Sequence, residues 1–307
     1  MFFSKIVATT LKILLCVTIF LYKHTGYCSS ADKENAITIE FREEQYAGQK
    51  AERKPRALRD ILESGELVVC IKGPILLSLD QDDSSADKMF QKTDIAFAKA
   101  MATTLGVRKL IFATNYKTYD AVVHAVENGE GDIGISNLSY TKERSRKVQF
   151  SIPYIREMGQ TLLIDRKLLD DAEDSNLSSI LNNDKVTIGA ETNTSYQELV
   201  SKLFPLANLK TEDDWQREAV QDCTLGKISA TIRDELRIKL LIHENPSLLF
   251  RFVPIILTDE PDLISAIVNL ENTSLLEWTN TFIRNGYTRL SVDDIIKKYG
   301  GHVNELL

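Results

Sequence analysis

Apolar and polar residues alternate with two different periods over most of the chain, and this alternation predicts strands and helices in turn. Short apolar runs at residues 66–71 and 109–113 are typical of buried strands. Between them, residues 94–105 carry apolar side chains at helical spacing, and Gly106 follows as a C-terminal signal. A helical pattern over residues 119–127 continues this order, which predicts βαβ units on a mostly parallel sheet.

A second series of the same kind follows Pro153. Its apolar positions predict helices over residues 196–204, 215–223, 234–243, 274–285 and 291–298. They predict strands over residues 228–232 and in the segment FRFVPIIL. Because the combined series is too long for one small sheet, we expect two α/β lobes with a cleft between them.

The first thirty residues have the order of an export signal. Residues 1–12 carry two lysines, residues 13–22 form an apolar run of ten, and small residues follow. We therefore expect a secretory signal peptide over residues 1–30. The charged stretch 31–56 shows no sustained periodicity, so we expect it to be a flexible leader. An uncleaved membrane anchor and a lipid attached to Cys28 remain open as alternatives.

Composition and charge argue against several classes of function. The chain has 307 residues and a formal net charge of −7, and its first thirty residues hold three lysines and no acid. The part that follows is therefore acidic, which argues against a nucleic-acid partner. Cys70 and Cys223 lack metal-binding spacing, and the sequence contains no cofactor-binding or catalytic motif. We therefore expect that the protein binds no metal and no cofactor and that it is not an enzyme. A disulfide between the two cysteines stays open.

The segment over residues 131–154 carries the most specific motif. It consists of GDIGISNLSYTKERSRKVQFSIPY: a strand opened by an aspartate, a turn rich in serine, T-x-x-R and then F-S-x-P-Y. This order resembles the bacterial extracellular solute-binding proteins of family 3, the periplasmic receptors of ABC transporters for polar amino acids. Segments on both sides, from LRDILESGELVV to SLLEWTNTFIRNGY, are similar to the family in the same order, so the resemblance covers residues 57–300.

The resemblance implies a two-lobed type II periplasmic-binding-protein fold of the α/β class, in which each lobe is a mixed sheet flanked by helices. Lobe 1 would comprise residues 57–162 and 263–307, and lobe 2 would comprise residues 163–262. Two crossovers near residues 160 and 262 would form the hinge. The ligand would lie in the cleft between the lobes, at the carboxyl ends of strands.

Residue chemistry and the resemblance together predict a ligand site of nine residues, namely Arg144, Ser139, Asn137, Ser136, Thr194, Ser195, Asp234, Tyr119 and Lys72. Arg144 suits a ligand carboxylate because a guanidinium can bind it through two parallel hydrogen bonds. The alternative is a solvated surface arginine. The polar turn from Ser136 to Ser139 follows a strand and can orient a ligand, although serine and asparagine also favour turns for their own sake.

The second half of the predicted site lies in the middle of the chain. Thr194 and Ser195 precede a predicted helix whose free N–H groups stabilise anions, and a simple helix cap is the alternative. The resemblance implies that Asp234 binds the ligand ammonium, although an aspartate there also suits a helix N-cap. It also implies that Tyr119 is an aromatic platform for the ligand side chain, with a core or surface tyrosine as the alternative.

Two segments depart from the family pattern. After the first strand the family carries an acid and then aromatic residues, whereas this chain has Lys72 near the acid's position and Ile75 and Leu76 where rings are expected. If Lys72 points into the cleft, it favours a ligand with an additional carboxylate. The alternative is a strand-end lysine in solvent. In the second segment, Asn193 stands where the family usually has glycine.

The resemblance therefore implies a periplasmic solute-binding protein that captures a small polar ligand by hinge closure, with an amino acid as the expected class. We expect a monomer that delivers this ligand to the membrane permease of an ABC transporter. Two alternatives stay open at this point. One is a ligand-sensing or degenerate periplasmic module without a transport role, and the other is an exported dehydratase-like enzyme on the same fold.

Overall fold

The computed structural model of the protein describes residues 37–43, 54–75, 85–156, 158–170 and 176–301. The predicted signal peptide, Cys28, Leu76 and most of the predicted leader lie outside these residues. Within the described ranges, no helix is long and apolar enough to cross a membrane.

Strands of the described residues form two separate sheets. In chain order they are β1 (Thr38–Glu43), β2 (Glu66–Lys72), β3 (Lys109–Tyr116), β4 (Ile133–Gly134), β5 (Val148–Pro153), β6 (Met158–Asp165), β7 (Thr187–Glu191), β8 (Asn208–Glu212), β9 (Ala230–Asp234), β10 (Phe252–Asp262) and β11 (Ser265–Asn269). The first sheet has the order β1-β3-β2-β4-β11-β5, and the second has the order β10-β6-β9-β7-β8.

Both sheets are mixed, as the resemblance implies, and not mostly parallel, as the βαβ pattern alone predicts. The chain leaves the first sheet between Pro153 and Met158 and returns to it between Asp262 and Ser265. On its return, β11 inserts between β4 and β5 and runs antiparallel to both. Apolar periodicity does not reveal strand direction, because side chains alternate in the same way in parallel and antiparallel strands.

Helices flank both sheets. In chain order they are α1 (Leu58–Ser64), α2 (Ala86–Leu105), α3 (Tyr119–Glu127), α4 (Arg166–Asp170), α5 (Leu177–Leu181), α6 (Ser195–Leu203), α7 (Val220–Thr224), α8 (Glu235–Glu244), α9 (Thr273–Asn285) and α10 (Val292–Tyr299). The helix predicted from residue 94 begins at Ala86 instead. The first turns of this helix bury Lys88 and Asp94. Because these charged residues lie on the buried face, the helical spacing of apolar residues is interrupted there.

Residues 38–43 differ from the predicted flexible leader, because they form strand β1 along the edge of the first sheet. This strand pairs in parallel with β3 over its whole length. Ile37 and Ile39 pack against the core, and the Phe41 ring stacks on Phe112 with centroids 5.4 Å apart. The apolar residues recur at every second position, which is a strand signal, but they span only five residues within a charged stretch.

Helix α8 connects the two halves of the molecule on one side of the cleft. It begins directly after β9 of the second sheet and contacts α2 and α10, which flank the first sheet. Leu236 and Leu240 of α8 share one apolar cluster with Phe97, whose ring stacks on Tyr154 at 4.5 Å between centroids. This contact holds the carboxyl end of β9 beside the polar edge of the first sheet.

The two cysteines within the described residues are buried, and neither forms a disulfide. Cys70 belongs to β2, and Cys223 belongs to α7. The disulfide that the sequence leaves open is therefore not formed. Burial raises the pKa of the Cys223 thiol to about 12, so this thiol is protonated at neutral pH.

Candidate functional site

Two neighbouring cavities lie between the halves of the molecule, at the carboxyl ends of β2, β3 and β9. The large cavity has a volume of about 420 Å³, and the small cavity has a volume of about 20 Å³. Tyr119, Asn137 and Arg237 line both, so the two cavities share a wall. Open α/β sheets bind their ligands at this end of their strands, and the large cavity suits a small molecule in size.

The structure brings all nine predicted residues to these cavities. Lys72 and Ser136 line the large cavity, and Tyr119 and Asn137 line both. The small cavity is lined by the other five, namely Ser139, Arg144, Thr194, Ser195 and Asp234. Their common location is a structural finding, while their roles in ligand binding remain predictions.

Arg144 is held in place by two neighbours. Its Nε donates to Asp120 Oδ1 at 3.0 Å, and its Nη1 donates to the Ser139 carbonyl oxygen at 3.2 Å. Because only 8% of the side chain is exposed, the interpretation as a solvated surface arginine is wrong. These two bonds use the N–H group of Nε and one N–H group of Nη1, so the N–H groups of Nη2 and the second one of Nη1 can bind a ligand oxygen.

The turn after β4 uses its polar groups in different ways. The Ser136 hydroxyl accepts from the Lys72 backbone N–H at 2.8 Å, and the Ser139 hydroxyl donates to Asp262 at 3.1 Å. Asn137 has a φ of 46°, a left-handed conformation that asparagine tolerates. Its side-chain oxygen is buried without a hydrogen-bond partner. Since an unsatisfied buried acceptor is costly, this oxygen is a candidate contact for a ligand N–H group.

The loop before α6 does not form a regular side-chain cap. Thr194 occupies the N-cap position, but its hydroxyl donates to the Glu191 carbonyl oxygen at 2.7 Å. Asn193 has a φ of 59°, so asparagine adopts the left-handed conformation at the position where the family usually has glycine. Ser195 is the first residue of α6 and lines the small cavity, where the positive end of the helix dipole favours an anion.

Asp234 is the N-cap of α8, which is one of the two roles that the sequence predicts. Its Oδ1 accepts from the Arg237 backbone N–H at 2.9 Å, and its Oδ2 accepts from Arg237 Nη1 at 2.6 Å. Arg237 also pairs with Asp87 of α2, so one guanidinium joins carboxylates from both halves of the molecule. The Arg237 charge lowers the pKa of Asp87 below its usual value. Sequence reasoning missed this pair, although Asp234 and Arg237 have the spacing of a helical ion pair.

Lys72, the last residue of β2, is half-buried and lines the large cavity, and its role toward a ligand stays a prediction. Its Nζ lies 4.3 Å from the centre of the Tyr119 ring, which is a cation–π contact. The Arg144 guanidinium lies 5.9 Å from the centre of the same ring. Tyr119 also packs against the apolar residues under α3, so its ring lies between the core and two cations.

Arg233 is a basic residue of the cleft that sequence reasoning missed. It pairs with Glu191 and lies 5.3 Å from the Tyr196 ring centre and 5.8 Å from that of Trp215. Its side chain is only 5% exposed, and its Nε is buried without a hydrogen-bond partner. A buried guanidinium N–H that lacks an acceptor is a candidate donor to a ligand carboxylate. The sequence signal that could have identified Arg233 is its position at the carboxyl end of an apolar strand.

Two buried carboxyls that the sequence did not single out lie beside the site. Asp94 lines the large cavity and accepts from the Tyr154 hydroxyl at 2.5 Å, and burial raises its pKa to about 7. Asp262 accepts from the hydroxyls of Ser139 at 3.1 Å and Tyr196 at 3.0 Å, and burial raises its pKa to about 6. At neutral pH, Asp94 is therefore partly protonated, and most of Asp262 is ionised.

The sequence matches a known family over most of its length. The family model of the bacterial extracellular solute-binding proteins, family 3, matches residues 86–302. The L-cystine-binding protein TcyJ of Escherichia coli (strain K12) is 26% identical over 181 residues, which are 58% of this chain and 62% of TcyJ. The chain thus matches less than two thirds of the length of this relative.

Solved structures of amino-acid-binding proteins share the fold. The ancestral amino acid-binding protein AncCDT-1, a precursor of cyclohexadienyl dehydratase, gives a TM-score of 0.54 at 23% identity, over 79% of this chain and 98% of that one. The arginine-bound form of ArgBP from T. maritima gives a TM-score of 0.51 at 22% identity, over 74% of this chain and 98% of that one. At these identities the likeness concerns the fold alone, and it confirms the expected two-lobed type II periplasmic fold.

Proposed function

Because the chain belongs to the bacterial extracellular solute-binding proteins of family 3, we propose that it captures an amino acid in its cleft and delivers it to an ABC transporter. The observation that carries this proposal is a pair of buried atoms without a hydrogen bond on residues that line the small cavity, Asn137 Oδ1 and Arg233 Nε, the latter 3.8 Å from Asp234 Oδ2. One atom belongs to a donor and the other is an acceptor. The carboxylate and the ammonium of an amino acid require one of each.

Arginines supply the positive side of the proposed site. A ligand carboxylate between Arg144 Nη2 and Arg233 Nε accepts from both, and the N-terminus of α6 at Ser195 adds a favourable dipole. The ammonium then contacts Asn137 Oδ1 and the Asp234 carboxylate. These charge-assisted hydrogen bonds stabilise the complex, and the desolvation of the same charges opposes it.

Closure of the cleft is proposed to occur by a hinge at the two crossings between the sheets, residues 153–158 and 262–265. The predicted lobes are residues 57–162 plus 263–307 and residues 163–262. Their first boundary differs from the crossing, because β6 (Met158–Asp165) already belongs to the second sheet. We expect the two halves to move about this hinge. The contacts of Asp262 support this proposal. It lies at one crossing and accepts hydrogen bonds from Ser139, on the first-sheet side, and from Tyr196, on the second-sheet side.

The proposed working place is the periplasm, and the proposed membrane partner is the permease of an ABC transporter, which the protein meets as a monomer. Support comes from the family, whose members are extracellular solute-binding proteins, and from the export signal predicted over residues 1–30. The relatives are binding proteins, and this favours a binding role over the dehydratase-like alternative.

Isothermal titration of the purified protein with the twenty amino acids and cystine tests this proposal. At least one ligand is expected to bind. Arg144→Ala is expected to weaken its binding by about a hundredfold or more, because the ligand carboxylate then stays buried without its main partner.

Arg146→Ala is the matched control, because Arg146 lies two positions further along the chain and its side chain is exposed. This variant is expected to bind like the wild type. The proposal fails if no amino acid binds, or if Arg144→Ala retains wild-type affinity for the ligand that does.

A further inference from the structure

Lys72, which lines the large cavity, contacts the face of an aromatic ring. Lys72 Nζ lies 4.3 Å from the centre of the Tyr119 ring, and no carboxylate of the described residues forms an ion pair with it. The charge of Lys72 helps to lower the pKa of Asp87, but the Asp87 carboxylate forms its ion pair with Arg237. A half-buried ammonium in this setting is available to an anionic group in the cavity.

The position of Lys72 on the cavity wall is defined by its backbone. Lys72 is the last residue of β2, and its N–H donates to the Ser136 hydroxyl at 2.8 Å. Ser136 is itself buried in the turn after β4. The start of the lysine side chain is therefore anchored, and its ammonium reaches the cavity from a strand end.

Arg237 reaches the same cavity from α8, on the other side of the cleft. Its two carboxylate partners differ in exposure, because the side chain of Asp234 is 1% exposed and that of Asp87 is 73% exposed. Asp234 is also fixed as the cap of α8. Asp87 can instead return to solvent when a ligand carboxylate replaces it, since an exposed ion pair contributes little.

Positive groups outnumber acids among the side chains that line the large cavity. Three cationic side chains and two carboxyls line it, namely Lys72, Lys117 and Arg237 against Asp87 and Asp94. Burial of Asp94 favours its neutral form and reduces the negative charge further. A cationic ligand side chain in the large cavity would lie beside like charges, which disfavours it.

On the premise of the proposed function, we infer that the amino acid carries a second carboxylate, and that Lys72 and Arg237 bind it together in the large cavity. Its α-carboxylate is held beside Arg144 and Arg233, and Tyr119 lies between the two carboxylate positions. The same two cations disfavour lysine and arginine as ligands.

The test compares ligands that have one shape and different charge. L-Glutamate and L-glutamine form the matched pair. L-2-aminoadipate and L-cystine carry a second carboxylate farther from the α-carbon, and L-lysine and L-arginine are cationic probes. Titration calorimetry on the purified protein is expected to show the tightest dicarboxylic probe binding at least about tenfold more tightly than glutamine, lysine and arginine.

Lys72→Met is expected to weaken that dicarboxylic probe by about tenfold and to change glutamine by less than about threefold. Lys185→Met, which removes an exposed lysine outside the cavities, is expected to change neither affinity.

A glutamine, lysine or arginine affinity that equals or exceeds the best dicarboxylic affinity overturns the inference and leaves the proposed function in place. Equal weakening of both ligand types by Lys72→Met also overturns it. Binding of none of the probes overturns the inference alone, whereas the titration with all twenty amino acids and the Arg144→Ala variant test the proposed function.

Discussion

At the scale of single residues, two carboxyls that face the cleft make stability depend on pH in opposite directions. Burial raises the pKa of Asp94 from 3.8 to about 7, so the folded state holds a proton that the unfolded chain releases. This proton stabilises the fold at acid pH, and the stabilisation is lost as the pH rises from about 4 to about 7. Asp87 is the opposite case, because Arg237 lowers its pKa and favours the fold once the carboxyl is ionised.

Asp94→Asn is expected to remove the loss of stability that occurs as the pH rises from about 4 to about 7. Asparagine keeps an oxygen that accepts from the Tyr154 hydroxyl, which donates to Asp94 at 2.5 Å, but it carries no charge to bury. The free energy of unfolding of the wild type should fall by on the order of 2 kcal/mol more than that of the variant between pH 5 and pH 8. Urea denaturation at both pH values measures this difference.

Asp87→Asn serves as the control of opposite sign. Because its side chain is 73% exposed, we expect only a small destabilisation at pH 8, and none at pH values below the usual pKa of an aspartate. Equal pH dependence of the wild type and Asp94→Asn would show that Asp94 has an ordinary pKa in the folded protein.

At the scale of one element, strand β1 extends the first sheet beyond the part of the chain that the family model matches. That match begins at residue 86, whereas β1 covers Thr38–Glu43. The strand covers the edge of β3, and its apolar residues lie against the core through Ile37, Ile39 and the stacked Phe41 ring. An uncovered edge strand invites pairing with other chains, so β1 protects this edge.

Ile39→Lys is expected to detach β1 from the sheet. The substitution removes apolar contacts and places an ammonium group against the core, at a cost of about 1 to 3 kcal/mol. Hydrogen exchange is the measurement, since amides of β3 that are protected by β1 should exchange faster while those of β7 keep their rates.

Arg42→Ala is the control for Ile39→Lys, because Arg42 lies on the same strand and is exposed. Unchanged exchange of residues 109–114 in Ile39→Lys would contradict the stabilising role of these contacts.

At the scale of the whole molecule, polar contacts connect the two halves around the cleft. Arg237 pairs with Asp87, and Lys239 pairs with Asp293 of α10 at 2.7 Å. The most buried connection is that of Asp262, which accepts from hydroxyls on both sides. Since a buried carboxylate depends on its donors, the loss of one donor should disfavour the closed arrangement.

Tyr196→Phe removes one of these hydroxyl donors and keeps the aromatic ring. We expect ligand affinity at pH 8 to fall by about tenfold, because a lost hydrogen bond to a charged group costs about 1.5 kcal/mol in the closed state. The effect should shrink at pH 5, where Asp262, with a pKa of about 6, is mostly protonated. Titration calorimetry at both pH values and the radius of gyration from X-ray scattering measure the two consequences.

Tyr140→Phe is the matched control, because Tyr140 is 49% exposed. It should bind like the wild type at both pH values. An equal loss of affinity at pH 5 and pH 8 in Tyr196→Phe would show that the hydroxyl does not act through the charge of Asp262.

Local signals in the sequence determined most of the elements. Helices α3 and α9 and strand β2 lie within two residues of their predicted bounds, because periodicity and caps depend on neighbours along the chain. The segment 131–154 also led to Arg144 and to the turn from Ser136 to Ser139, since a motif keeps its own residues together in sequence.

Only the tertiary structure decided how the charges of the cleft are paired. Arg237 meets Asp87 across 150 positions of sequence, and Ser139 meets Asp262 across 123. No local pattern contains such a pair, because the partner of a charge depends on which distant elements the fold brings together. Burial acts in the same way. It turned Asp94 from an apparent helix start into a carboxyl that holds part of its proton near neutral pH, and it left Arg233 Nε without a hydrogen bond in the cleft.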